Sequence, residues 1–264
     1  MNQEQFQDIL LPPGDPDYCW ETFHENSKIG RYFRSLSDEE IRLRMNDFHL
    51  SLPYEGYPII DLPKSLTPMK HALDDIIISR SSVRDFSPTP INLRDLSTLL
   101  HFSYGETRDN KDTGFSRPFR VVPSGGGLYP LEIFFYSGHV PDLEVGVYHY
   151  NPSKHHLRFL NPGEKTQEIA QAVVYPDLIK NSALLIFITA VFERSVFKYR
   201  ERGYRFTLLE AGHVAQNLNL VSLGLDLGSV NVGGYFDREI DDFLGLDGVN
   251  HSTIYMIALG KKSS

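Results

Sequence analysis

The order of predicted elements points to an α+β protein, and three observations carry that reading. Strand-like runs come in pairs before a helix, without the strict βαβ alternation of a doubly wound parallel sheet. The apolar run ALLIFITAVF, Ala183 to Phe192, is about half the roughly 20 residues a membrane helix needs and is rich in β-branched and aromatic residues, which marks a buried strand. The segment RFTLLEAGHVAQNLNLVSLGL carries apolar or small residues at 208, 211, 212, 215, 218 and 221. It is apolar on most sides, as expected of a helix buried in a domain or at a subunit interface.

Taken in chain order, residues 1–70 are rich in proline and read as an N-terminal extension. Its one helical stretch is SDEEIRLRMNDFH, where Ser37 followed by Glu40 makes a capping box. LPYEGYPIIDLPKSLTP reads as an extended connector. Residues 71–264 form the main domain. HALDDIIIS has helical spacing, and INLRDLSTLLHFSYG is a second helix that Asn92 caps. FRVV, LEIFFYS, VGVYHYN and HHLRFL are strands, the last two parted by the turn-prone Asn-Pro-Ser. GEKTQEIAQAVVY precedes the buried strand as a helix; after the long helix come DREIDDFLGL, a short helix capped by Asp237, and the strand STIYMIALG.

Composition removes several function classes. A chain of 264 residues with 41% hydrophobic and 12% aromatic residues buries a substantial core and leaves no room for extensive disorder. The 26 Lys and Arg against 34 Asp and Glu give a net charge of -8, which argues against a general nucleic-acid binder. The single cysteine, Cys19, excludes an intrachain disulfide, a CxxC redox pair and multi-cysteine metal sites. The N-terminal residues lack the basic and apolar regions of a signal peptide, so a cytoplasmic protein without membrane association is expected.

The familiar catalytic signatures GxSxG, GxxxxGK[ST] and HExxH are missing, and GLDLGSVNVGG does not match GxGxxG. His149, His155 and His156 flank a predicted hairpin turn and read as a solvated loop rather than a metal site, since no acid or cysteine completes a tetrahedral set. Glu210, His213 and Asn217 share one helix face, either as a buried hydrogen-bond line or as the wet side of the helix. SRSSVRDF sets Arg80, Ser82 and Arg84 at alternating positions; extended geometry converges two guanidinium forks and a hydroxyl, which suits a phosphate or the polar edge of a heterocycle, and a solvated basic turn explains them equally well. The glycines of PSGGGLYPLE and SVNVGGYFD allow close approach of main chain to a ligand. VFKYRERGYRF places Lys198 beside Tyr199, followed by Arg200, Arg202 and Arg205.

The succession SRSSVRDF, LSTLLHFSYGET, PSGGGLYPLE, KYRERGYRFTLLEAGHVAQNLNL, LGLDLGSVNVGGYFD and LGLDG resembles the nitroreductase superfamily, and within it the SagB-type or McbC-like azoline dehydrogenases. FHENSKIG and YPIIDLPKS are similar to the leading segment of that subfamily, so the resemblance spans about residues 18–262. It implies a nitroreductase-like α+β fold with a central mixed β-sheet flanked by helices, and a homodimer with one FMN in each interface cleft. Arg80, Ser81, Ser82 and Arg84 are then expected on the FMN ribityl, phosphate and pyrimidine edge. Pro123, Ser124, Gly125 and Gly126 are expected to line the flavin from the neighbouring subunit. Val232, Gly233 and Gly234 are expected against the isoalloxazine, with the Gly233 amide near N5, and Lys261 on the phosphate.

The same resemblance makes Lys198 and Tyr199 the catalytic pair. Aromatising a thiazoline or oxazoline removes a proton from the carbon between imine and carbonyl, and a hydride from the adjacent ring CH2. A lysine takes that proton only with a pKa brought toward neutrality, and the three following arginines supply nearby positive charge. The implied product is a thiazole or oxazole in natural-product biosynthesis, with oxygen reoxidising the flavin. The partner is either a peptidyl carrier protein of a nonribosomal assembly line or a ribosomal precursor peptide with its cyclodehydratase. The compact first 70 residues lean the expectation slightly toward the carrier-bound substrate. Two rivals stand beside this: an NAD(P)H-dependent nitro- or quinone reductase of the same fold, and a flavin-free scaffold subunit.

Overall fold

The computed structural model describes residues 19–32, 36–110 and 117–263. Two short helices, α1 (Trp20–Asn26) and α2 (Asp38–Asn46), precede strand β1 (Ile59–Asp61), helix α3 (Leu73–Ser79), strand β2 (Phe86–Ser87) and helix α4 (Leu93–Tyr104). The small antiparallel pair β3 (Glu106–Arg108) and β4 (Phe119–Arg120) follows, then a single 3-10 turn at Gly125–Gly127. Strands β5 (Leu131–Ser137), β6 (Gly146–Asn151) and β7 (His156–Pro162) form a meander. Helices α5 (Thr166–Gln171) and α6 (Asp177–Lys180) lead to β8 (Leu184–Val191), α7 (Glu193–Tyr199) and the 24-residue α8 (Glu201–Gly224). The chain closes through β9 (Gly228–Val232), α9 (Asp237–Leu244) and β10 (His251–Lys262).

The main sheet runs β1-β7-β6-β5-β8-β10-β2, with β9 also paired to β10. Every pairing between named strands in it is antiparallel, and the one parallel contact is the isolated bridge of Ser82 with Ser229. The expected mixed sheet is thus antiparallel among the described strands. Hairpin turns join β5, β6 and β7, and helical excursions return the later strands in the opposite direction.

The pleat sorts side chains to two faces with period two. On one face Ile133, Phe135, Leu184, Ile186, Ile188, Ile257 and Leu259 pack against Leu96, Leu99 and Leu100 of α4 and Ala211, Val214 and Leu218 of α8. On the other, Phe134, Tyr136, Leu185, Phe187, Met256 and Ala258 meet Ile169 of α5, Ile179 of α6 and Ile240 of α9. The apolar run therefore became β8 because both its faces are covered.

Local signals held at two helix starts. The Ser37 amide donates to Glu40 Oε2 at 2.8 Å while Ser37 Oγ accepts from the Glu40 amide at 3.3 Å, and Asn92 Oδ1 accepts from the Asp95 amide at 2.8 Å. At α9 the cap position is taken by Phe236, and Asp237 is the first helical residue, where its charge favours the positive end of the helix dipole. The predicted connector contains β1, which pairs with β7, so the N-terminal extension contributes an edge strand to the main sheet.

Candidate functional site

Lys198 and Tyr199 close the last turn of α7, where both are half-buried. The turn ends because Arg200 takes φ 50°, which reverses the chain into α8. The two side chains converge on the glycine loop. A Cβ on Gly126 would meet Tyr199 Oη at 2.5 Å and Lys198 Nζ at 3.0 Å, and Lys198 Nζ lies 5.1 Å from the centre of the Tyr199 ring. Gly126 has φ 67°. Its neighbour Gly125 faces Phe206 of α8, whose ring a Cβ there would meet at 2.9 Å, and Phe206 stands edge-on to Tyr199 at 5.1 Å.

Two of the arginines after this pair also hold the N-terminal segment. Arg202 Nε donates to the Ser27 carbonyl at 2.8 Å, and Arg205 donates to the His24 carbonyl at 2.7 Å. They satisfy the carbonyl end of α1 and fasten the N-terminal segment to α8, a favourable place for cations.

Beneath the glycine loop lies a buried polar chain. Ser124 Oγ accepts from the Tyr129 amide at 2.9 Å, and the Ser124 hydroxyl is close enough to the Glu210 carboxylate to favour its charged form. Tyr104 Oη donates to Glu210 Oε1 at 3.0 Å, and the Arg120 guanidinium lies 4.3 Å from the Tyr104 ring centre and 4.9 Å from that of Tyr129. Burial drives the Glu210 pKa up to about 7, against the opposing pull of Ser124, Tyr104 and Arg120. Glu210 is thus a buried hydrogen-bonding group, whereas His213 is exposed and Asn217 reaches only the Phe102 carbonyl, at 3.4 Å. The shared helix face does not act as one line.

A second group gathers at the other end of α8. The Val83 amide donates to the Ser229 carbonyl at 2.9 Å, which pulls SRSSVRDF alongside β9 and turns Arg80, Ser82 and Arg84 outward, all three exposed. Arg80 and Ser81 border a small cavity with Asn219, Ser222, Ser229 and Lys262. Lys262 borders this cavity, and its neighbour Lys261 does not; both residues pair with β2, Lys261 opposite Ser87 and Lys262 opposite Phe86. Arg84 turns to a separate cavity of about 430 Å3 lined by Val174, Tyr175, Pro176, Asp177 and Leu178. The Val174 amide donates to the Gly234 carbonyl at 2.8 Å, which ties that cavity to the end of VNVGG. Arg80 and Arg84 thus border two cavities.

Three observations bear on whether a flat cofactor fits these residues. Gly233 is exposed, with open space wherever a Cβ would point. The Asn231 Oδ1, two residues earlier, is buried without a hydrogen-bond partner. The cavity beside Arg84 falls within the roughly 300–1,000 Å3 of small-molecule sites. The residues fit an anionic ligand with a planar ring. Gly125 packs on Phe206 near the start of α8, while Ser222 near its end bonds Ser229 at 3.1 Å. Sixteen residues of helix separate those contacts by about 24 Å.

Among the three histidines, His149 is buried in β6, and its Nε2 lies 2.6 Å from Glu132 Oε2. The solvated-loop reading fails there. Glu132 also pairs with Arg194 of α7 at 2.6 Å and accepts from the Leu52 amide at 2.9 Å. Burial alone would raise the Glu132 pKa, but the Arg194 and His149 contacts hold it below the usual carboxylate range. His155 contacts Ser97 at 2.8 Å and Tyr150 at 3.0 Å. No cluster of potential metal ligands occurs among the described residues.

The family described as nitroreductase matches residues 77–261, and a nitroreductase-type protein of Methanocaldococcus jannaschii is 36% identical over 190 residues, 72% of this chain and 91% of its own. The chain belongs to the nitroreductase family. Two further relatives of this nitroreductase-family protein are processing proteins. The trifolitoxin-processing protein TfxB of Rhizobium leguminosarum is 30% identical over 248 residues, 86% of this chain and 66% of its own. The microcin B17-processing protein McbC of Escherichia coli is 33% identical over 240 residues, 80% and 87% of the two chains. Solved structures share the fold. A chain of the E. coli microcin synthetase McbBCD complex with truncated pro-MccB17 bound superposes with TM-score 0.58 at 23% identity, covering 89% of this chain and all of that one. A nitroreductase-type protein of Desulfovibrio desulfuricans in complex with FMN gives TM-score 0.52 at 17% identity, over 74% and 88% of the chains. Among the described residues no helix is long and apolar enough to cross a membrane.

Proposed function

We propose that this nitroreductase-family protein is an FMN-dependent azoline dehydrogenase that converts a thiazoline or oxazoline in a peptide to the aromatic azole. The observation that carries the proposal is the convergence of Lys198 Nζ and Tyr199 Oη on Gly126 of the PSGGG loop. The two relatives that process trifolitoxin and microcin B17 support a ribosomal precursor peptide as substrate and a cyclodehydratase as working partner. That weighs against the carrier-bound substrate toward which the sequence leaned.

Arg80, Ser81, Ser82, Arg84 and Lys262 would hold the anionic arm and polar edge of FMN, and Val232, Gly233 and Gly234 its ring. Bound FMN supplies the hydride acceptor. Lys198 takes the proton from the ring carbon next to the carbonyl, and Tyr199 donates a hydrogen bond to that carbonyl, which stabilises negative charge as it develops. Ser124, fixed by Glu210, keeps the glycine loop at the distance this pair requires.

A homodimer completes the site. Leu208 and Leu209 of α8, and Leu73, Ile77 and Ile78 of α3, are exposed apolar side chains that a second copy would cover. The 24 Å between the loop end and the Ser229 end of α8 supports a cleft assembled from two chains. The protein is expected in the cytoplasm, where precursor peptides are made.

The M. jannaschii relative favours a second reading, an NAD(P)H-dependent reductase. Incubation of the FMN-loaded protein with a thiazoline-bearing peptide under air separates the two. Loss of two hydrogen masses without added NADPH supports the dehydrogenase; an unchanged peptide refutes it.

A further inference from the structure

A cavity of about 230 Å3 is bounded by Gly126, the glycine beneath Lys198 and Tyr199, and by Gly127, Met45, Asn110, Arg117, Phe119 and Tyr129. It is smaller than the roughly 300 Å3 at which pockets begin to enclose a whole small ligand, so it holds one side group of something larger. Its walls are a thioether, two aromatic rings and glycine main chain, with Asn110 and Arg117 as the polar side chains at its edge. The one charged wall residue, Arg117, is buried, and its guanidinium donates to the main-chain carbonyls of Met45 and, at 2.9 Å, Phe48. Those bonds satisfy the carbonyl end of α2 and occupy the Nη2 donors of the guanidinium. Burial, with Arg194 and Arg120 nearby, lowers the Arg117 pKa to about 10, which leaves it charged at neutral pH.

Helix α2 also reaches the reacting pair. Its buried Ile41 and Met45 pack with Leu128, and Phe197 and Tyr199 pack onto that cluster. Met45 therefore touches both the cavity and the support of Tyr199. The nitroreductase-family match begins at residue 77, so α2 lies outside the segment common to the family.

We infer that α2 forms one wall of a side-chain pocket beside the reacting pair, and that Met45, Phe119 and Tyr129 select an apolar residue flanking the heterocycle of a peptide substrate. The naming of the heterocycle rests on the function proposed above; the pocket and its apolar preference rest on the lining. An apolar side chain desolvated there gains affinity, and glycine in its place leaves the cavity unfilled. A cationic flanking residue meets the like charge of the Arg117 guanidinium in the wall.

The test is binding, which does not require turnover. FMN-loaded protein is titrated with thiazole-containing tripeptide amides whose flanking residue is glycine, alanine, leucine or phenylalanine, followed by calorimetry. Wild type is expected to bind the leucine or phenylalanine peptide about tenfold more tightly than the glycine peptide, the range that small apolar differences give in a fitted pocket. Met45→Trp fills the cavity from α2 and Phe119→Trp fills it from β4. Each is expected to erase that preference while leaving the glycine peptide's Kd within about twofold, since only the side-group contact is removed. Two variants on separate elements distinguish filling from distortion of α2, and flavin content reports folding.

Equal affinities across the series in wild type, or the same loss for all four peptides in both variants, overturns the inference. Turnover of the matching thiazolines is followed in parallel. Selective binding without turnover refutes the dehydrogenase and leaves the pocket standing; turnover without selectivity refutes the pocket alone.

Discussion

The phenolic oxygen of Tyr199 sits so close over Gly126 that a Cβ on the glycine would lie 2.5 Å from it, and 3.0 Å from the Lys198 amine. Gly126→Ala adds that atom, and it does so at φ 67°, where an L side chain costs about 1 kcal/mol. The fold tolerates such a cost, but the pair must move aside. The variant is expected to bind flavin, melt within a few degrees of wild type and lose at least about tenfold in kcat, as displaced proton-transfer groups do. Unchanged kcat would separate the pair from the chemistry.

Lys198→Ala removes the proposed base and leaves the loop in place. A loss of about 10²–10⁴ in kcat, with flavin absorbance and oligomeric state unchanged, is the expected outcome. Tyr199→Phe is expected to cost less, because it removes one hydrogen bond and keeps the ring that packs on Phe206 and the α2 cluster. Full activity of Lys198→Ala removes the lysine from the mechanism.

Glu210 gives the protein a stability that depends on pH. Its carboxyl holds a proton up to about 7, against an ordinary 4.5, so between those values the native state binds a proton that the unfolded chain has released. Stability therefore falls as pH rises through that window, by up to about 3 kcal/mol, and levels off above it. Glu210→Gln keeps an acceptor for Tyr104 and removes the titration. Tm measured at pH 5 and pH 8 is expected to shift in the variant's favour at the higher pH. A constant difference between the two proteins contradicts the assignment.

Arg84 borders the 430 Å3 cavity next to Gly234, and Arg80 shares a different cavity with Lys262. If both face one cofactor, Arg84→Ala and Arg80→Ala each raise the FMN Kd, by roughly 1.5–3 kcal/mol for a lost charge-assisted bond, or about 10–150-fold. Lys261→Ala is expected to leave FMN affinity unchanged, since Lys262 and not Lys261 borders the cavity beside Arg80. Flavin fluorescence titration of the three apoproteins checks all of these.

What the sequence made legible follows from how local each signal is. Both helix caps at Ser37 and Asn92 depend on residues three apart and appeared as read. The buried strand was visible because β8 has covered faces on both sides and so carries no polar residue to interrupt it except Thr189. The Gly-Gly-Gly turn and the Lys-Tyr pair were each visible, but their contact across Gly126 depends on how α7 folds back on the loop. His149 misled because a buried imidazole is inside only by virtue of Glu132, seventeen residues away in sequence. The bonds of Arg202 and Arg205 were not legible either, because their partners are the carbonyls of Ser27 and His24, more than 170 residues distant. Glu210 was singled out, but its meaning came only with Tyr104 and Ser124 beside it. The cavity lined by Val174–Leu178 has no sequence signature at all, since its walls follow from how α6 meets the end of β9.

The measurement that bears most directly on the proposed chemistry is an anaerobic titration of the FMN-loaded protein, following flavin absorbance as a thiazoline peptide or NADPH is added. Bleaching by the thiazoline peptide, abolished in Lys198→Ala and not reproduced by NADPH at comparable rate, is the predicted result. Rapid bleaching by NADPH with none by the thiazoline peptide would contradict it and make the protein a reductase of the same fold.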